Sequence, residues 1–496
     1  MRPGDTLDER AWALLTAATR VYQDSPRALG WLRHHLARFA EPLRVAVVGM
    51  PGSGKSTVVN ALVGEEIAPV ELGEHGQVPT WYQAGGQPRA QVFSASAPPR
   101  DLPVARVDRQ LDIDTEQWPA GGARPTRLVV DWPARSLRDT TLIDTPPLTP
   151  PGASEVDPPG PGAVTAEQLA GEADAVLYLM RHMHGRDLRL LQAMHDHPIA
   201  GAAPVSTILV LSRADEIGAS RIDALSSAKR IARRYRRDVQ VTAVCQNVVA
   251  LAGLIASAGR TLRETELAAL TALARVPREE LERFLLSTDR FTAADFPVAL
   301  DAPSRRALLD RFGIFGVRLS TTLIRQGFDT HPKLAAQLVQ RSGLAELRDA
   351  VGAQFTERRA VLKARSALLA LDVVLRREPR PAARALAADL ERLLAGAHEF
   401  RELRLLAALQ SGGTTLPGEL DAEAQRLIGG DGPRLAARLG VDAEADDHEL
   451  YRAALDALAR WQRQADNPLL TPTQRRAAQV VVRSCEGALA ALTAPA

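Results

Sequence analysis

The sequence predicts a mainly parallel α/β domain with helices on both faces of its sheet, continued by an extended α-helical region. Three observations carry this expectation. Between residue 43 and about residue 255, short apolar runs alternate with helical patterns, the rhythm of βα units. The runs lie at 43–48, 80–83, 127–131, 140–143, 175–180, 205–211 and 248–251, and the first opens directly into a glycine-rich loop. After about residue 255 no strand pattern recurs, and everything to Ala496 reads as helix and connecting loop.

In chain order, residues 7–39 come first. They place Trp12, Leu14, Leu15, Ala18 and Val21, then Leu29, Trp31, Leu32 and Leu36, at helical spacing with a break near Ser25-Pro26. A pair of amphipathic helices is expected. The run at 43–48 is apolar except for Arg44, as a strand buried on both faces is. Gly49-Met50-Pro51-Gly52-Ser53-Gly54-Lys55-Ser56 follows it, then a helical stretch stopped by Gly64. Strand, G-x-x-x-x-G-K-S loop and helix in that order form a phosphate cradle. Backbone N–H groups of Gly49, Gly52, Ser53, Gly54 and Thr57, with the helix N-terminus, offer positive partial charge to phosphate oxygens. Lys55 adds a point charge at the β- and γ-phosphates, and the Ser56 hydroxyl is placed to ligate Mg²⁺. Among 61 Lys plus Arg, only Lys55, Lys229, Lys333 and Lys363 are lysine, so a lysine here points to a site that needs a compact ammonium.

The run at 205–211 ends in Ser212-Arg213-Ala214-Asp215. This matches the [NT]-K-x-D guanine reader with Ser and Arg in its first two places. Asp215 can accept from both the ring N–H and the exocyclic amine of guanine, a pair adenine does not offer together, and Arg213 can lay its stem along the base. Alone the string is also compatible with a helix N-terminus that has Asp215 near the cap. The run at 140–143 ends in Asp144-Thr145-Pro146-Pro147, where Asp144 stands in the place of a D-x-x-G aspartate that holds the Mg²⁺ hydration shell.

Downstream, the longest helical pattern runs from about Leu344 to Leu375, with Leu344, Leu347, Val351, Phe355, Leu362, Leu369 and Val373 at near-heptad spacing. Continuous, it would reach about 50 Å at about 1.5 Å per residue. The chain turns at "RREPRPAAR" and returns through Leu386, Leu390, Leu393, Leu394, Leu403 and Leu406. The expected organisation is neck helices over 1–42, a nucleotide-binding domain over 43–255 and a helical neck and trunk over 256–496.

Composition narrows the function classes. The chain has 496 residues, room for two or three domains, with 46% hydrophobic and 24% charged residues as in ordinary globular proteins. A net charge of +2 gives no global nucleic-acid signature. Two cysteines, Cys245 and Cys485, form no metal or disulfide pattern and fit a reducing compartment. The N-terminus lacks the apolar core of a signal peptide, so a cytoplasmic location is expected. Residues 239–259 carry no charge over 21 residues, about a membrane span. Gln240, Thr242, Gln246 and Asn247 break it, and it reads as a buried strand running into a buried helix rather than a transmembrane segment.

The order of these motifs, the preceding helix pair and the long helical tail resemble the bacterial dynamin-like GTPases. "SRADEIGASRIDAL", "STDRF", "RFGIFGVRLS" and "RSGLAELRDAV" look like the shorter isoniazid-inducible type of actinobacteria, the IniC type. The likeness covers nearly the whole chain and is strongest over 43–64, 205–225 and 310–365. It implies a P-loop GTPase head, a helical neck and trunk, GTP or GDP with Mg²⁺ as ligands, and peripheral attachment to the cytoplasmic membrane. It also implies homodimers or association with a dynamin-like paralogue, and adds Ala252, after the run at 248–251, as a backbone donor to the base. Three departures stand out. Pro147 replaces the glycine whose N–H donates to the γ-phosphate, and proline has no N–H. If Thr80 opens the strand after the first switch, the place of the Mg²⁺-binding threonine holds Gly76. Pro51 stands where eukaryotic dynamins have a glutamine that helps orient water. Two readings follow: a slow GTPase acting at the membrane, or a GTP-bound scaffold partnering an active paralogue. A P-loop kinase or ATPase would make Asp215 coincidental and leave the stalk unexplained.

Other features have plainer readings. His182, His184, His195 and His197 are separated by a helix of about ten residues, which puts the two pairs about 15 Å apart and argues against one shared metal. His182 and His184 follow a strand at the nucleotide edge, where a nucleotide or dimer contact is the alternative. Phe312 and Phe315 read as neck packing rather than membrane insertion. Arg376, Arg377, Arg380 and Arg384 form a basic turn at the end of a hairpin, either simply solvated or facing an anionic membrane.

Overall fold

The computed structural model describes residues 6–69, 78–94, 97–107, 110–113, 125–146, 171–195, 206–217, 223–242, 244–294, 296–410 and 414–493. Eleven strands are placed among them: β1 (Leu43–Gly49), β2 (Thr80–Ala84), β3 (Arg89–Ser94), β4 (Arg100–Leu102), β5 (Val104–Val107), β6 (Gln110–Ile113), β7 (Pro125–Trp132), β8 (Thr140–Asp144), β9 (Ala175–Met180), β10 (Thr207–Leu211) and β11 (Asn247–Ala250). Nine form one sheet in the order β11-β10-β9-β1-β8-β2-β7-β3-β4, and β5 pairs with β6 apart from it. From β11 to β8 every pairing is parallel. Beyond β8 the sheet turns mixed, because β2 runs antiparallel to β8 and β3 antiparallel to β7. All residues of β1, β9 and β10 are buried, which is why these strands read as unbroken apolar runs. The hairpin strands β3 to β6 were not expected from the sequence: they are short, partly exposed and interleaved with charge.

Helices of at least eight residues are labelled α1 (Leu7–Val21), α2 (Pro26–Ala37), α3 (Lys55–Val63), α4 (Gly185–His195), α5 (Ala224–Tyr235), α6 (Gly253–Arg260), α7 (Glu264–Ala274), α8 (Ala302–Arg325) and α9 (His331–Ser342). The set continues with α10 (Leu344–Val351), α11 (Arg359–Arg377), α12 (Arg384–Gly396), α13 (His398–Gln410), α14 (Leu420–Leu427), α15 (Asp447–Ala465) and α16 (Pro472–Thr493). The break between α1 and α2 falls where expected. Ser25 accepts from the Ala28 N–H and Pro26 occupies the first turn.

The single helix expected over 344–375 is two helices. A π-turn at Gly352–Thr356 divides α10 from α11, and just after it Arg358 donates to the Gly429 carbonyl of the tail. The described residues within 239–259 form a short helical turn, strand β11 and helix α6; the strand and most of the helix are buried, whereas Gln240 in the turn is exposed. Among the described residues no helix is long and apolar enough to cross a membrane.

Three apolar cores result. One face of the sheet, through Val45, Val47 and Leu177, packs with α1, α2 and α10 to α12. The opposite face, through Ala46, Val48 and Leu209, packs with Ile255, Leu270, Phe312, Phe315 and Leu338. A third core around Leu406, Trp461 and Val481 joins α13 to α16. Packing therefore runs on across residue 255: helices α6 to α9 belong to the sheet's own core, where a boundary was expected. Phe312 and Phe315 are fully buried there.

Candidate functional site

The strand β1 has β9 on one side and β8 on the other, and the chain leaves it toward opposite halves of the sheet. The crevice outside its carboxyl end is the switch point where open α/β sheets bind ligands. The loop 49–56 fills that position. A Cβ at Gly49 would come 2.5 Å from the Leu179 carbonyl oxygen, so the loop can follow β9 this closely only with glycine. Gly54, at φ +87°, takes the left-handed conformation that starts α3.

Within the loop several polar groups are short of partners. Among the described residues Lys55 Nζ reaches only the Gly49 and Met50 carbonyls, at 3.3 and 3.4 Å. Burial lowers its pKa, opposed by the charge of Asp144. Ser53 Oγ is buried with no hydrogen-bond partner among the described residues. An orphaned hydroxyl and a desolvated ammonium in a ring of backbone N–H groups fit a phosphate anion. Thr57, one turn into α3, directs its methyl toward Gly253. Ser56 Oγ donates to Asp144 Oδ2 at 2.6 Å, which brings together the hydroxyl and the carboxylate expected at Mg²⁺. This is the hard-oxygen donor type that Mg²⁺ takes. Burial pushes the Asp144 carboxyl up to about 6, partly offset by the Ser56 hydrogen bond and the Lys55 charge. Thr145 anchors this strand end by donating from Oγ1 to the Val47 carbonyl at 2.9 Å.

The base-reading segment lies beside the loop. Ser212 Oγ donates to the Met180 carbonyl at 3.1 Å, tying the end of β10 to that of β9. Arg213 has φ +50°, the one non-glycine left-handed residue among those described. Its Nε donates to the Gly52 carbonyl at 3.0 Å and its Nη1 pairs with Glu216 at 2.5 Å, so the guanidinium braces the phosphate loop. Arg181, which sequence reasoning missed, donates from Nη2 to the same Gly52 carbonyl at 3.1 Å. Its only signal in the sequence is its place directly after the run at 175–180. Asp215 is buried, and desolvation pushes its carboxyl up to about 6.

Ala252 does not fit the role expected of it. Its N–H donates to the Ser342 carbonyl at 2.9 Å and the residue is fully buried, so this amide is not available to a base. Pro51 is exposed on the loop and Thr80 is the first residue of β2, whereas Gly76 and Pro147 lie outside the described residues. His182 and His184 are exposed, with ring centroids 6.4 Å apart. His195 ends α4, and His197 lies outside the described residues. Among the described residues no group of three or more His, Cys, Asp or Glu is placed to hold a metal ion. Far from this site, Arg380 pairs with Asp24 and Glu378 and stacks over Tyr22, and Arg376 pairs with Asp372 at 2.8 Å. All three arginines expected to face lipid, Arg376, Arg377 and Arg380, thus have partners within the protein.

Comparison with known proteins agrees with this geometry. The dynamin family profile matches residues 45–197, from β1 past α4. The isoniazid-induced protein IniC of Mycobacterium tuberculosis, from strains CDC 1551 and H37Rv, is 40% identical over 492 residues, 98% of this chain and 99% of the relative. A solved chain of an oligomerised bacterial dynamin pair, described as a mechanism for the long-range sensing and tethering of membranes, aligns at 13% identity. The alignment covers 99% of this chain and 81% of that chain, with a TM-score of 0.30. By its sheet, its phosphate loop and this relationship along its length, the chain belongs to the dynamin family of GTP hydrolases, among the bacterial dynamin-like proteins of the IniC type.

Proposed function

We propose that this chain binds GTP and GDP with Mg²⁺, hydrolyses GTP slowly, and acts at the inner face of the cell membrane through nucleotide-dependent association. The observation that carries the reading is the convergence of Lys55, Ser56, Asp144 and the unpartnered Ser53 hydroxyl at the carboxyl end of β1. Lys55, the Ser53 hydroxyl and the amides of Gly49, Gly52, Gly54 and Thr57 hold phosphates, while the Ser53 N–H itself donates to the Met50 carbonyl at 3.1 Å. Ser56 and Asp144 hold the metal, which neutralises phosphate charge when bound. Asp215 selects guanine, and Arg213 supports the loop beside it. The slow rate follows from Pro147, which has no N–H to give the γ-phosphate, and from Gly76 in place of a switch threonine. The same two residues favour a second reading, a GTP-bound scaffold that partners an active dynamin-like paralogue. Membrane contact is assigned to the basic turn of Arg376, Arg377 and Arg380, each of which also has a partner within the protein.

A turnover assay with GTP and ATP, with and without anionic liposomes, tests this. The expected result is slow turnover of GTP alone, raised by liposomes. Equal turnover of ATP overturns the guanine assignment, and no effect of liposomes at any protein concentration overturns the membrane assignment.

A further inference from the structure

Arg181 is the first residue after β9, and the backbone on either side of it is held. The Met180 carbonyl before it accepts from the N–H and the hydroxyl of Ser212, at 2.8 and 3.1 Å. The turn after it is closed by the buried Asp187, which accepts from the Tyr178 hydroxyl at 2.7 Å and from the His184 N–H at 3.1 Å. This strand end also borders the phosphate loop, since Leu179 is in register with Gly49. The Arg181 side chain therefore approaches the loop from a fixed point.

There it meets Arg213. Both guanidinium groups donate to the single carbonyl of Gly52, and a Cβ at Gly52 would lie 3.7 Å from Nη2 of Arg181 and 4.0 Å from Nη2 of Arg213. Two like charges converge on one loop residue, and their counter-charges differ. Arg213 is paired with Glu216 at 2.5 Å, whereas among the described residues no carboxylate lies within ion-pair distance of Arg181. The Gly52 carbonyl takes one of the five N–H donors of the Arg181 guanidinium and neutralises no charge. Bracing does not explain the second arginine, because Arg213 Nε already holds the same carbonyl at 3.0 Å. What Arg181 adds to the loop is an uncompensated positive charge with donors to spare.

We propose that Arg181 is a phosphate contact of the nucleotide site: with one N–H on the Gly52 carbonyl, its other N–H groups donate to the phosphate chain of the bound guanine nucleotide. Charge-assisted bonds from a planar guanidinium to phosphate oxygens are among the stronger contacts a side chain makes. Arg181 is exposed and gives up no ion pair to a described residue in making them. The inference rests on the nucleotide reading of the loop and adds to it a cation from outside the loop.

The test is displacement of a fluorescent GDP by GDP and by inorganic pyrophosphate, a phosphate chain without base or ribose. It compares the full-length wild type with Arg181→Gln, which keeps an N–H donor without the charge, and Arg181→Lys, which keeps the charge without the fork. Arg181→Gln should weaken GDP and pyrophosphate by the same factor, about tenfold or more, with an unchanged Tm. Arg181→Lys should recover part of both losses. Three results overturn the contact while leaving the loop as a nucleotide site: wild-type affinity in Arg181→Gln, a loss for GDP that pyrophosphate does not share, or an Arg181→Lys variant no better than Arg181→Gln. Failure of the wild type to bind the fluorescent GDP overturns the contact and the nucleotide reading together.

Discussion

The phosphate end and the base end of the nucleotide site are built differently. At the phosphate end, Lys55 makes two long contacts to carbonyls, Ser53 Oγ has no partner, and Ser56 already holds Asp144. At the base end, Arg213 is spent on Gly52 and Glu216, Ser212 on Met180, and the Ala252 amide on Ser342. The first end has polar groups short of partners, while the second is largely framework, and the proposed reading assigns base selection to Asp215. Affinity should then depend mostly on phosphate groups, and specificity on one carboxylate.

The sharpest way to break this contrast is Lys55→Ala. Removing the one ammonium from a partly buried anion site should weaken GTP and GDP on the order of 100-fold or more in a calorimetric titration. Lys55→Arg should also be impaired, since a planar fork does not fit a site shaped for an ammonium. Wild-type affinity in the alanine variant would mean that the loop amides alone hold the phosphates.

Pro147→Gly probes what the phosphate end lacks. Loss of one transition-state donor costs about 10²–10³ in rate, so restoring an N–H should recover part of that factor in single-turnover GTP hydrolysis. Gly76 keeps the recovery incomplete. No change in rate, from a wild type that is already fast, would remove the basis for the scaffold reading.

Asp215→Asn tests the base end alone. It should weaken GTP by about 10–100-fold and improve binding of xanthine nucleotides, because the amide donates where the carboxylate accepts. Competition between GTP and XTP reads this directly. An unchanged preference would assign base selection to another group.

The smallest expected effect is pH dependence. Burial raises Asp215 in the folded protein to about 6, above its unfolded value of 3.8. Its contribution to stability is therefore full below about pH 4 and lost as pH rises through about 6, a change of about 3 kcal/mol. On the proposed reading guanine binds the charged form, so GDP affinity should move the other way and rise about tenfold from pH 5 to pH 7. Asp215→Asn should flatten that part of the profile, and an unaltered profile would exclude Asp215 as its source.

What could be read from the sequence divides along the same line. The loop 49–56, Ser56 and Asp144 were legible because each depends on a strand end and a few adjacent residues. The fully buried strands β1, β9 and β10 were legible as continuous apolar runs. What was hidden depends on distant partners. Nothing near Ala252 announces that Ser342 takes its amide, and nothing near Gly352 announces that the helix will widen where Arg358 meets Gly429. Helices α6 to α9 look like any amphipathic helices, and only their shared core with Ala46, Val48 and Leu209 shows that packing continues past residue 255. The strands β3 to β6 escaped notice because they are short: β3 and β6 alternate exposed and buried positions, but over only six and four residues.

The measurement that bears most directly on the whole account is calorimetric titration of the wild-type chain with GTP, GDP and ATP in the presence of Mg²⁺. A site whose affinity comes from its phosphate loop and whose selectivity comes from Asp215 should bind GTP and GDP with similar affinity, and ATP on the order of 100-fold more weakly. Equal binding of ATP and GTP would contradict the role given to Asp215, and no nucleotide binding at all would contradict the site itself.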